Sequence, residues 1–179
     1  MHSDNRFTLR QLQKENAEWA NANFDTSVLY HPLLGALEEY GELCHAILKK
    51  EQGIRGSGEQ HMQDAKDAVG DIVIYLADLC NRLDIEMPVT LFGKNRYSDS
   101  LRYLFNVSKE LGVICDTFND SLTHTLQIIT SAQIVKILDN LNYFCCCLDW
   151  DFMRIVEDTW TEVSGRNWKE NPTLGVSGD

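Results

Sequence analysis

Apolar residues recur along this chain at helical spacing. Thr8 followed by Gln11 reads as a capping box, and Leu9, Leu12 and Trp19 then give a first helix to about Ala22. Asn23 to Tyr30 is a connector. A second helix opens at His31-Pro32, since proline is tolerated in a first turn, and continues through Leu33, Leu37, Tyr40, Cys44 and Ile47. Gly53 ends it, and the glycine-rich stretch from Gly53 to Gly58 joins antiparallel neighbours. From about Glu59 a third helix carries Val69, Ile72, Val73, Leu76, Leu79, Cys80 and Leu83 on one broad stripe and stops before Pro88. The run Ile72-Val73-Ile74 would suit a strand, but the apolar pattern around it is far longer than a strand. After a polar linker from Pro88 to Asp99, helices over Ser100 to Phe118 and Leu126 to Trp150 flank a break at Asn119 to Thr125. Phe152 to about Val163 is a last amphipathic helix, and the tail beyond Pro172 frays. The pattern predicts an all-α fold, an antiparallel helical bundle.

The second half invites comparison with the first. Leu37 to Cys44 can be laid on Ser108 to Cys115, and Cys80 to Ile85 on Cys145 to Trp150, which places Lys136 opposite Asp71 and Ala132 opposite Asp67. The identities are few, and two amphipathic helices resemble each other by chance. A true repeat would be a degenerate second helical pair that keeps the packing face and has lost most of the acids.

Charge and composition narrow the chemistry. Acidic residues outnumber basic ones 27 to 16, which argues against nucleic acid or an anionic membrane as a partner. No apolar run approaches the roughly 20 residues that span a bilayer, and the first residues lead into polar sequence, so the expected location is the cytoplasm. Cys44, Cys80 and Cys115 fall in apolar segments and Cys145, Cys146 and Cys147 are consecutive, a pattern of reduced, mostly buried thiols and not of disulfides or a zinc site.

Against that background the acids of the second and third helices stand out. Glu38, Glu39 and Glu42 share or border one helical face, as do Asp67 and Asp71. A Glu-Glu-x-x-Glu run is most often a solvated stripe. Here, however, Leu33 to Leu37 and Leu43 flank the glutamates, and both aspartates interrupt an apolar helix, so the acids border buried faces. In an antiparallel hairpin the two groups converge. Like charges about 4 Å apart repel by roughly 4 kcal/mol at an effective dielectric of 20, so a cation belongs there. Oxygen ligands without cysteine suit Mg2+, or Mn2+, which keep waters for a phosphate ligand. The chemistry that follows is phosphoryl transfer to water, with Glu38 left to take the proton.

The segments HPLLGALEEYGELCHAILKKEQGIRG, DAVGDIVIYLADLC and DTWTEVSGRNW resemble the MazG-like branch of the all-α nucleoside triphosphate pyrophosphohydrolases. The resemblance covers about Thr8 to Leu83 and the final helix. It implies a hydrolase that cleaves a nucleoside triphosphate between the α and β phosphates, releasing the monophosphate and pyrophosphate. It also implies magnesium held by Glu39, Glu42 and Asp71, with Glu38 matching the motif beside them. The chain departs from the family's Glu-x-x-Asp at Ala68; Asp67 lies one residue earlier, about 100° around the helix, and Asp64 is another substitute. Arg166, with Lys169 nearby, best matches the family's late phosphate contacts. The resulting organisation is one domain: catalytic helices over 1–87, a helical insertion or degenerate repeat over 88–150, and a C-terminal helix and tail over 151–179.

Lys50 and Arg55, with Lys49, sit beyond the acidic helix and could reach terminal phosphates, although solvated charges are commoner. Lys94 and Arg96 are a second such pair. Trp19, Phe24 and His31 precede the site and could enclose a base, although aromatic residues at this spacing are more often core and His31 could cap the second helix. Two competing readings remain. Glu42-Leu43-Cys44-His45 is a Glu-x-x-His run of the di-iron kind, but no second run accompanies it. A helical scaffold that binds nucleotide or a partner without turnover is the other. Two assemblies fit the sequence, a homodimer and a monomer with internal pseudo-symmetry.

Overall fold

In the computed structural model, residues 6–89, 91, 99–120 and 123–173 are described. They form six helices and, among the described residues, no strand: α1 (Leu9–Asn23), α2 (His31–Gln52), α3 (Gly58–Arg82), α4 (Ser100–Asp120), α5 (Thr123–Cys147) and α6 (Phe152–Ser164).

Local chemistry explains most of the boundaries. Thr8 Oγ1 accepts from the Gln11 N–H at 3.1 Å, but the Gln11 amide donates forward to Glu15, so only half of the expected capping box forms. The N-cap position of α2 belongs to Tyr30, which makes no side-chain cap bond, and Pro32 occupies the first turn. Gly53, at φ 65°, ends α2 in the left-handed region, where a glycine carries no Cβ penalty. Ser57 caps α3 and Asp151 caps α6 through side-chain oxygens. α5 stops at Cys147, short of Trp150, because Asp149 takes φ 56° and the Trp150 N–H returns to the Cys145 carbonyl at 3.0 Å.

α3 lies at the centre of the molecule. Val69, Ile72, Val73, Leu76 and Leu79 are fully buried on it, and it packs against α1, α2, α5 and α6. Two glycines permit the closest approaches: a Cβ on Gly70 would lie 2.1 Å from Thr159 Oγ1 of α6, and one on Gly35 would lie 2.3 Å from the Tyr75 ring. α2–α3 and α4–α5 are the two heavily packed hairpins. Tyr40 Oη donates to the Leu104 carbonyl at 3.2 Å and Gln127 Nε2 to the Leu83 carbonyl at 2.8 Å, tying one hairpin to the other.

None of the six cysteines is in a disulfide. Burial pushes the Cys80 and Cys145 thiols up to about 12, so they behave as small apolar side chains. The expectation of mostly buried thiols fails for Cys146, which is exposed, while Cys44, Cys115 and Cys147 are half-buried. Among the described residues no helix is long and apolar enough to cross a membrane.

Candidate active site

Between α1, α2, α3 and the segment after α6 lies a cavity of about 750 Å³. Glu38 and Glu39 of α2, Asp71 of α3, and Arg166 and Lys169 line it together. So do Trp19 of α1 and His31 at the start of α2. Residues far apart in the chain therefore share one space.

The carboxylates feel one another. Burial first, then the charges of Asp71, Glu42 and Glu38, push the Glu39 carboxyl up to about 8, with Arg166 opposing. Burial likewise raises Asp71 to about 6; Arg166 works against that rise, and Asp67, Glu162 and Glu42 add to it. Tyr75, which also lines the cavity, is pushed up to about 12 by burial and by Glu39, Asp71, Glu38 and Asp78. Arg166 is itself shared, pairing with Glu162 and lying 5.8 Å from the centre of the Trp168 ring.

Other expected residues lie elsewhere. Glu42 is exposed and does not line the cavity, although its charge acts on Glu39 and Asp71. Asp67 lines a separate cavity of about 380 Å³ beside α6, with Lys66, Arg154, Asp158 and Glu162 among its neighbours, and accepts from Gln63 Nε2 at 2.9 Å. The two aspartates lie one turn apart, only about 40° around α3, so packing divides them: Asp67 lines the cavity beside α6 and Asp71 the one beside α2. Burial, foremost, raises the Asp67 carboxyl. Asp64 is exposed and takes a hydrogen bond from Gln60 at 2.7 Å. Ala68, at the position of the departure, is buried.

Lys50 and Arg55 are exposed and do not line the cavity. Eleven helical steps from Glu39 to Lys50 span about 16 Å along the axis, so the basic residues belong to the far end of α2. Lys94 and Arg96 lie outside the described residues. His45 is exposed and lines neither cavity, so Glu42 and His45 do not share an enclosed site.

Beside Trp19 and Phe24, the cavity's other end holds polar groups that the sequence did not single out. Asn16, 1% exposed, has its Oδ1 held by Asn81 Nδ2 at 3.2 Å, and among the described residues its own amide N–H groups donate to no protein acceptor. Asp78 and Arg82 form a buried bidentate pair at 3.0 and 2.6 Å, and Arg82 Nη1 also donates to the Val28 carbonyl. The pair spends most of the guanidinium's donors but leaves lone pairs on Asp78. Trp19 lies edge-on to Phe24 and to Trp160, and its Nε1 donates to the Arg166 carbonyl at 3.0 Å. Trp168 is anchored by its N–H to Asn23 Oδ1 at 2.6 Å. An Asp-x-x-x-Arg step on an apolar helix was visible in the sequence as a clue to Asp78 and Arg82, and Trp168 closes the segment DTWTEVSGRNW; nothing marked Asn16.

Among the described residues no three His, Cys, Asp or Glu side chains already stand as a ready ligand set for a metal. The donor set nevertheless fits magnesium, which takes one or two carboxylates, keeps waters and completes its shell with phosphate oxygens. Two half-buried carboxyls whose proton affinity is raised by burial first and then by neighbouring acids are suited to a hard dication that replaces those protons. Compared with known proteins, the chain matches no family model, no curated protein and no solved structure.

Proposed function

We propose that the protein is a magnesium-dependent nucleoside triphosphate pyrophosphohydrolase, cleaving between the α and β phosphates to give the monophosphate and pyrophosphate. One observation carries this reading: the half-buried carboxylates Glu39 and Asp71, the cations Arg166 and Lys169, and an aromatic-walled recess line the same 750 Å³ cavity. A nucleotide needs those three environments in that company.

Glu39 and Asp71, assisted by Glu42, would hold the ion; when bound, magnesium neutralises phosphate charge and acidifies a water. Manganese satisfies the same oxygen ligands. Glu38, exposed and on the cavity wall, accepts the proton from the attacking water. Arg166 and Lys169 draw the phosphates toward the carboxylates and offset the negative charge gathered there. Trp19, Phe24 and Trp168 supply aromatic surface for the base, with His31 beside them. The Asn16 N–H groups and the Asp78 lone pairs offer a donor and an acceptor to its edge.

The test is a panel of ribo- and deoxyribonucleoside triphosphates with Mg2+, scored for pyrophosphate against orthophosphate. Pyrophosphate release, lost by about 100-fold or more in Asp71→Asn and Glu39→Gln, is the expected result. Orthophosphate as the sole product sinks the assignment. The absence of a carboxylate at Ala68 favours a second reading, a scaffold that binds nucleotide without turnover. Nucleotide affinity without any product would select it.

A further inference from the structure

We propose that the α4–α5 hairpin is a second copy of the α2–α3 hairpin, in which lysine ammonium groups stand where the first copy keeps a place for a cation. The proposal rests on reading α2–α3 as a cation site, and its own support is the register of the two hairpins. Laying Cys44 on Cys115 and Cys80 on Cys145 sends Gly35 to Asn106, Glu39 to Glu110, Tyr75 to Asn140 and Asp71 to Lys136. The cysteine register is independent of the side-chain contacts. The structure supplies the contacts. In the first hairpin Gly35 lies against the Tyr75 ring, and one turn along both helices Glu39 and Asp71 share the cavity wall. In the second, Asn106 Nδ2 donates to Asn140 Oδ1 at 3.2 Å, and one turn along Lys136 Nζ lies 3.5 Å from Glu110 Oε2. Both pairs of the first hairpin thus have mapped pairs in contact in the second. A slip of one residue in either helix would turn the partners by about 100° and separate both.

The charges follow the same map. Glu38, Glu39, Glu42 and Asp71 correspond to Lys109, Glu110, Val113 and Lys136. Only Glu110 keeps its acid, and it is 6% exposed. A buried carboxylate with no counter-charge opposes folding. Here Lys109 Nζ lies 3.4 Å from one Glu110 oxygen and Lys136 Nζ 3.5 Å from the other. Lys136 also donates to Gln133 at 2.9 Å. Chance likeness between amphipathic helices accounts for matching apolar positions. It does not account for a buried glutamate retained at the site position, with lysine at two of the exchanged acids. The second hairpin therefore carries its positive charge covalently, and one chain has one cation site.

The experiment rebuilds the acids in the full chain with Lys109→Glu, Val113→Glu and Lys136→Asp, and measures bound Mn2+ by equilibrium dialysis. The variant is expected to bind one ion more than the wild type, and to keep that gain when Glu39→Gln and Asp71→Asn are added. A folded variant with no gain overturns the proposal. The comparison is with the wild type's own stoichiometry, so a wild type that binds no Mn2+ counts against the cation reading of α2–α3 and leaves the copy to be judged on the gain. If the triple variant loses helicity in chelator, recovery on adding Mn2+ supports the copy. Without recovery the milder Lys136→Asp decides, and a folded Lys136→Asp protein with no added Mn2+ binding overturns it.

Discussion

Glu39 sits where its proton is worth keeping, and that makes it a reporter on the site. In an unfolded chain its carboxyl titrates near 4.5, whereas burial and three neighbouring acids hold it near 8 in the folded protein. Between those values the folded state retains a proton that the unfolded state has released. The stability linked to that proton is full below about 4.5 and is lost as pH rises through about 8; Asp71 acts in the same direction between 3.8 and about 6. Metal-free protein is therefore expected to melt at progressively lower temperature from pH 5 to pH 9. Glu39→Gln should flatten that slope and be the more stable protein at pH 9 in chelator, and Mg2+ should raise the wild-type Tm there more than the variant's. Thermal melts of both proteins in chelator and in Mg2+ would show this, and equal pH slopes would remove the claim. Much of this was legible in sequence, because acids breaking an apolar periodicity must border a core. Asn16 was not, since a lone asparagine in an amphipathic helix looks the same whether its amide meets water or a cavity.

Among the elements, α3 is the most constrained, and its buried glycine, Gly70, shows how. Gly70 is buried, and a methyl group there would meet the Thr159 side chain on α6 at 2.1 to 2.9 Å. Gly70→Ala must push α6 outward or strain α3, a cost of about 1–3 kcal/mol by the usual penalty for overpacking. Thr159→Gly should recover part of that loss in the double variant, because the obstructing atoms begin at the Thr159 Cβ. Urea unfolding of the four proteins gives the coupling, and strict additivity would mean that the two side chains do not compete for this space. The helices were readable from their period, which depends only on neighbours in sequence. Which face of α3 met which helix was not. Asp67 and Asp71 lie one turn apart, yet α6 borders the first and α2 the second, a division set by packing angles and by glycines such as Gly70 and Gly35.

For the molecule as a whole, the candidate site depends on bringing the end of the described chain back to its beginning. Arg166 follows α6, and its main-chain carbonyl accepts the Trp19 indole N–H from α1 at 3.0 Å; two residues on, the Trp168 N–H binds Asn23 at the end of α1. A second indole, that of Trp160 within α6, donates to Glu15 Oε2 of α1 at 2.7 Å. These ties hold Arg166 over carboxylates that lie more than 90 residues earlier in the sequence. Trp19→Phe keeps an aromatic face for a base but deletes the indole donor, leaving the Arg166 segment one anchor short. On the proposed activity, losing a hydrogen bond of about 1 kcal/mol predicts a fall of about 5-fold in kcat/KM for a triphosphate substrate. Arg166→Ala should cost more. If the indole acts by positioning that guanidinium, Trp19→Phe must have little further effect once Arg166 is gone, because there is no longer a charge to place. A double-mutant cycle on kcat/KM measures this directly, and a full 5-fold loss in the Arg166→Ala background would show that Trp19 serves the base alone.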